Sequence, residues 1–451
     1  MRRWKLVAGA VAVLFVLGAA SVFATVWRPA ITAIDPLSPQ SFAPDLIKRG
    51  RDLAAIGNCN TCHTLRGGGD YAGGVPVPTP FGTIFSTNIT PDPESGIGRW
   101  SEAAFQRAMK VGVDRDGHHL YPTFPYDHFT NMTDDDGRAL YAFLMTRDGV
   151  HAPARRNEIS FPFDQRWLLA GWKLLFLRTG TYRPDATKSA EWNRGAYLVE
   201  GLAHCGACHT PRNALGAERP NASFAGAEVE NWRAYAINAQ SPSPVHWNRD
   251  ALYAYLRRGW HDDHGTARGP MAEVVSNLSA VPTDDVAAIA TYVADMAGPA
   301  LSDQARQKDT VVTQAAKART APMTDMGAAV YAAACANCHE STRSVPYGGI
   351  NLALSTSLSA PDPHNLINTI LAGVQPVEGE SSPIMPGFGN SMDDRQIVAL
   401  VTYLRARFGK GSPWTNSEEA VKQARQTQTA SFQTSEGAGN APDVSAQRDK
   451  P

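Results

Sequence analysis

The chain has 451 residues, with 42 Lys+Arg against 43 Asp+Glu and a formal net charge of −1. That length is too great for one core and suits about three ordinary domains, while the balanced charge and the lack of a lysine or arginine stripe exclude a nucleic-acid-binding surface. The six cysteines fall into three short pairs and leave none for a disulfide framework.

Arg2, Arg3 and Lys5 precede a run from Leu6 to Trp27 that holds 22 residues without a charge. At ~1.5 Å per residue a helix of that length spans a bilayer. The competing reading is a signal peptide cleaved after Val22-Phe23-Ala24. The length of the run and its interfacial Trp27-Arg28 ending favour an uncleaved anchor, so residues 1–28 are expected to be a signal-anchor or signal peptide. Either way the basic residues stay on the cytoplasmic side and everything after Trp27 is exported, to the periplasmic face of a bacterial inner membrane. Pro29 to Pro44, with four prolines in sixteen residues, reads as an extended tether.

A helix near Leu46 to Ile56 then leads into Cys59-Asn60-Thr61-Cys62-His63. The pattern returns as Cys205-Gly206-Ala207-Cys208-His209 and as Cys335-Ala336-Asn337-Cys338-His339. C-x-x-C-H is the attachment site of c-type haem, in which both thiols form thioethers and the histidine ligates the iron. On one helical turn residues i and i+3 share a face, so both sulfurs reach the porphyrin edge. A thioredoxin-like redox pair, half a zinc site or a disulfide would each leave three trailing histidines unexplained. Three covalent c-type haems are therefore expected. Their thioethers are Cys59 and Cys62, Cys205 and Cys208, and Cys335 and Cys338, and their proximal ligands are His63, His209 and His339.

The same architecture is expected around each motif, giving an all-α chain of three tandem cytochrome c domains behind an N-terminal membrane helix. The domains run over residues 41–148, 188–298 and 323–410, with linkers at 149–187 and 299–322 and a disordered tail at 411–451. No apolar run in that tail would serve as a second anchor. Thr133-Asp134-Asp135-Asp136 announces the first closing helix. Crossing of the first and last helices suggests Gly50 with Tyr141, Gly195 with Tyr292 and Gly327 with Tyr403. Trp100 and Trp247 each stand twelve residues before a glycine, Gly112 and Gly259, and mark the repeat. In the first linker, Trp167 to Leu177 is apolar but too short to cross a membrane, and reads as a packed helix or as a docking surface for a partner or the membrane interface.

A low-spin haem needs a second axial ligand, and a methionine thioether favours the reduced iron. Met271 and Met385 each stand twelve residues after a helix-ending glycine, Gly259 and Gly373, and are the expected distal ligands of the second and third haems. At the same offset the first copy has Phe124, which cannot ligate. His119, His128 and Met132 lie nearby. Met132 reads as a core contact and His119 as a propionate or backbone hydrogen-bond partner, which leaves His128 as the distal candidate and an open iron as the rival.

The exported portion resembles the tri-haem cytochrome c subunits of membrane-bound periplasmic dehydrogenases. The resemblance rests on Gly57 to Thr64, Phe81 to Asp92, His119-Leu120-Tyr121-Pro122, Gly269 to Val275 and Met385-Pro386-Gly387-Phe388-Gly389. Phe124 to Phe129 and Phe161-Pro162-Phe163 are most similar to the subunits paired with molybdenum-dependent aldehyde or nicotinate dehydrogenases. The resemblance implies an electron-transfer subunit with no catalytic residue of its own. It would take electrons from a molybdenum-, PQQ- or flavin-dependent catalytic subunit, with a small iron–sulfur subunit among the expected partners, and pass them to ubiquinone or a terminal oxidase. The rival function is a peroxidase- or reductase-like haem enzyme acting at an open first iron.

Overall fold

The computed structural model describes residues 26–299, 304–318, 325–341, 343–376 and 381–438. The expected membrane run lies outside these apart from Val26 and Trp27. Among the described residues no helix is long and apolar enough to cross a membrane. The described residues divide into two compact units: residues 26–187 with 197–204 and 214–217, and residues 188–196 and 205–213 with those described from 218 on.

In the first unit the opening helix, Pro44–Ile56, starts on a proline, which suits a position whose N–H would have no helical partner. Its Gly50, Leu53, Ala54 and Ile56 are buried against the closing helix, Asp134–Met145, whose cap is Thr133 accepting from the Asp136 amide at 3.2 Å. A Cβ on Gly50 would meet the Ala139 carbonyl and lie 2.7 Å from Phe143 Cβ. The aromatic residue at Gly50 is thus Phe143 and not Tyr141. Residues 139 and 143 share a helix face, while Tyr141 turns away to lie edge-on to Phe42 at 6.0 Å and to donate to the Trp100 carbonyl at 2.6 Å. Between these helices, Glu102–Val111 is capped by Ser101 and ends at Gly112, whose φ of 62° suits glycine. A hairpin, Pro76–Thr79 with Gly82–Phe85, takes Glu158–Ile159 as a third antiparallel strand. Residues 197–204 are fastened to this unit: Tyr197 donates to Asp136 at 2.6 Å, and Arg49 binds the same carboxylate at 2.7 Å.

In the second unit the pattern recurs. Gly195 meets the Ala288 carbonyl with Tyr292 Cβ 2.8 Å from its absent Cβ, and Gly327 meets the Ala399 carbonyl with Tyr403 Cβ at 2.8 Å. Arg249–Arg258 repeats the capped helix, with Asn248 as cap and Gly259 at φ 80° as terminator. The third copy keeps a nine-residue helix, His364–Ala372, before Gly373, without a side-chain cap. The strand Trp232–Ala234 joins the later two copies. Arg233 exchanges two bonds with the Asn365 side chain, at 2.7 and 2.8 Å, and its guanidinium binds Asp362 at 2.7 Å.

The second linker contains a helix, Gln304–Ala318, with Val311 buried beside Val245, Ala353 and Leu354. The tail, expected to be disordered, forms the helix Ser417–Ala438. Ala420, Val421 and Ala424 are buried in the third copy's core, and Arg425 binds Asp394 at 2.7 Å. Small alanines gave that stripe too little hydropathy to stand out in a polar sequence. The all-α expectation also omits the three small antiparallel sheets found among the described residues.

Candidate haem sites

Each motif folds as one short helical turn: Cys59–His63, Gly206–His209 and Ala336–His339. Asn58 and His204, immediately ahead of the first cysteine in two copies, adopt left-handed φ of 51° and 38°, which turns the chain sharply into the motif. None of the six cysteines is in a disulfide.

Behind each histidine the chain returns to offer a backbone carbonyl. His63 Nδ1–H donates to Thr87 at 2.7 Å, His209 to Tyr235 at 2.6 Å and His339 to Ile350 at 2.8 Å. This bond sets the tautomer and the ring orientation, leaving the lone pair on Nε2, as an iron-ligating imidazole requires. Burial lowers the pKa of all three below the usual histidine range, the carbonyl opposing it, so the rings are neutral donors. Glycines let the returning strand approach. A Cβ on Gly73 would lie 2.8 Å from the Asn88 nitrogen, one on Gly226 would lie 2.8 Å from the Ala236 nitrogen, and one on Gly349 would lie 2.6 Å from His339 Nδ1. The donor set fits covalent haem at every motif.

The residues expected on the distal sides differ. Met271, half-buried, is the second residue of the helix Pro270–Ser279, whose start Pro270 supplies. Gly269 before it is packed so that a Cβ would meet the Trp232 ring. Met385 is also half-buried and pairs with Val374 through two backbone bonds of 2.8 and 3.0 Å. Phe124, at the matching position of the first copy, lies 5.3 Å from Phe129. His128 is buried in the turn Tyr126–Phe129, its Nδ1 3.0 Å from the Glu200 carbonyl. Met132 is fully buried. His119 bonds the Val26 carbonyl through Nε2 at 2.9 Å and meets Lys173 Nζ at 3.0 Å through Nδ1.

Comparison with known proteins agrees with this geometry. Residues 47–148 match the family described as Cytochrome c, and residues 322–404 match Cytochrome C oxidase, cbb3-type, subunit III. The chain is 38% identical over 411 residues to the fructose dehydrogenase cytochrome subunit of Gluconobacter japonicus, covering 86% of this chain and 84% of that one. It is 36% identical to the gluconate 2-dehydrogenase cytochrome c subunit of Pantoea cypripedii, covering 85% and 90%. With a subunit of the nicotinate dehydrogenase of Pseudomonas putida it shares 44% identity over 88% of its own length, yet it spans only 33% of that protein. The chain belongs to the family of cytochrome c subunits of dehydrogenases. It is an electron-transfer subunit, not a catalytic one, and its cofactor is covalently bound haem c.

For a member of this family the thiols matter as attachment points, and their environment agrees. Burial pushes Cys59 up to about 12 and Cys335 up to about 11, and raises Cys208 as well. A redox-active C-x-x-C pair needs the opposite, a thiolate favoured near neutral pH. Sequence reasoning missed Thr87, Tyr235 and Ile350, which act through backbone carbonyls and carry no side-chain signal. Gly73 and Gly349, each ten residues past the motif histidine, were the one available clue.

Proposed function

We propose that the chain carries three haems in three tandem cytochrome c domains. They are attached at Cys59 and Cys62, Cys205 and Cys208, and Cys335 and Cys338, with His63, His209 and His339 as proximal ligands and Met271 and Met385 as distal ligands of the second and third irons. Bound haem supplies one-electron iron chemistry. The protein's part is to orient each imidazole and, where a thioether is present, to favour the reduced state. The carrying observation is the histidine-to-carbonyl brace repeated behind every motif. Mass spectrometry of the denatured, matured protein tests it: three haem additions are expected, and two or fewer would sink the assignment.

Electrons enter from a dehydrogenase catalytic subunit and leave to ubiquinone or a terminal oxidase. The 44% identity to the nicotinate dehydrogenase relative, against 38% and 36% to the fructose and gluconate relatives, favours a partner of the nicotinate dehydrogenase type, molybdenum-dependent and working with a small iron–sulfur subunit. Co-purification from solubilised membranes tests this, a flavin or quinone protein being the contrary result. Residues 1–28 retain the chain at the inner membrane with its haems on the periplasmic side; N-terminal sequencing of the mature protein that begins at Thr25 would refute the anchor.

His128 is the distal ligand of the first iron on this reading. Its bond to the Glu200 carbonyl favours the tautomer with the lone pair on Nε2. His128→Ala should give a new high-spin haem; an unchanged spectrum removes the assignment. Phe124 at the methionine position favours a second reading, a five-coordinate first haem with peroxidase- or reductase-like activity, which carbon monoxide binding by the reduced parent protein would reveal.

A further inference from the structure

The helix Leu168–Phe176 has two unlike faces. Leu169, Ala170 and Lys173 are buried, and Trp172 is fixed by its indole N–H donating to the Leu215 carbonyl at 3.0 Å. On the other side Trp167, Gly171, Leu174 and Leu175 fall at i, i+4, i+7 and i+8, a single stripe. Trp167 is 55% exposed, Leu174 66% and Leu175 60%, and Phe161 just before the helix reaches 81%. Contiguous exposed apolar surface of this kind marks an interaction site.

The chain's own connectivity identifies the occupant. Lys173, on the buried face, meets His119, and His119 binds the carbonyl of Val26 at 2.9 Å. Val26 and the exposed Trp27 end the uncharged run of Leu6 to Trp27, and the next residues are held to the same unit: Ile31 donates to the Arg115 carbonyl at 2.8 Å and Arg107 to the Pro29 carbonyl at 2.6 Å. One imidazole thus separates the helix from the point where the apolar run ends. A cavity of about 220 Å³ lies between them, walled by Val111, Val113, Leu174 and Leu177, with Arg28 and Lys173 supplying the charge. The linker is basic as well: residues 149–187 hold six Lys and Arg against three Asp and Glu. Tryptophan at the start of a stripe, leucine along it and arginine at its end, here Arg178, is the pattern of a helix lying in the headgroup region of a bilayer.

We infer that Leu168–Phe176 lies flat in the surface of an anionic phospholipid bilayer, with Trp167, Leu174 and Leu175 among the acyl chains. The helix is a second membrane contact, and the inference rests in part on the reading of residues 6–27 as the anchor. The test uses the full haem-loaded chain in vesicles of phosphatidylcholine and phosphatidylglycerol that carry a diazirine on the acyl chain, with cross-linked peptides mapped by mass spectrometry. Adducts are expected within residues 167–175 and again within 1–28. Leu174→Glu with Leu175→Glu, which alters only exposed side chains, should abolish the first set and keep the second. Adducts in 1–28 with none in 167–175 of the parent protein overturn the inference and leave the anchor standing. Adducts in 167–175 from protein whose mature chain begins at Thr25 support the inference while the anchor reading fails. Loss of the adducts when the dehydrogenase subunit is added overturns it in favour of a protein-docking face.

Discussion

The first and second copies treat the two sides of their haem sites differently. Proximally they match: His63 and His209 are braced on Thr87 and Tyr235 at 2.7 and 2.6 Å, and Gly73 and Gly226 close the loops. At the positions proposed as distal, the first copy has Phe124 and a buried His128 where the second has Met271 on a helix start. On the proposed assignment the brace holds the ligand that every covalent haem needs, so it varies little, whereas the distal residue adjusts potential and access and is where copies of one fold diverge.

Exchanging the distal residues should sharpen this contrast most. Met271→Phe should strip the second iron of its thioether, with a fall in potential on the order of 0.1 V out of the ~0.8 V that axial ligands span, read by redox titration; an unshifted potential would remove Met271 as ligand. Phe124→Met should raise the first haem's potential, by less, because the surrounding turn is not built for a thioether. The helix crossings should respond alike in all copies. Alanine at Gly50, Gly195 or Gly327 forces a Cβ onto a backbone carbonyl and should cost about 2–3 kcal/mol each in denaturant unfolding; a tolerated Gly50→Ala would separate the first copy from the others.

Lys173 distinguishes the first copy more gently. Its ammonium donates to the Gly112 carbonyl, and burial, with Arg28 nearby, lowers its pKa from 10.5 to about 7. The unfolded chain binds the extra proton between about pH 7 and 10.5, so this lysine makes stability rise with pH through that window and its penalty is complete below it. Lys173→Met should flatten that slope in thermal unfolding, and an equal slope in both proteins would refute the burial argument. The smallest effect is expected for Tyr197→Phe, which removes the bond donated to Asp136 and the one accepted from the Thr133 amide and should cost about 1–2 kcal/mol.

What was legible in the sequence was local. The motifs, the cap at Thr133 and the glycines ending helices act within a turn or two, so their spacing survives in the sequence. The carbonyls bracing the histidines come 24, 26 and 11 residues after them, across loops of different length, and no fixed offset could reveal them. The pairing of Gly50 failed by two positions because an aromatic residue alone does not say which face it occupies, and the tail helix was hidden by alanines that bury little area.

The strand Trp232–Ala234 and its neighbour Tyr235 have a consequence for electron flow. This short stretch braces the second histidine through Tyr235, backs Gly269 beside Met271 through Trp232, and is tied by Arg233 to the helix that ends before the third copy's distal loop. On the proposed assignment, the gap between the second and third irons is fixed by hydrogen bonds and not sampled by diffusion. Transfer across it should then be ungated, its rate insensitive to solvent viscosity.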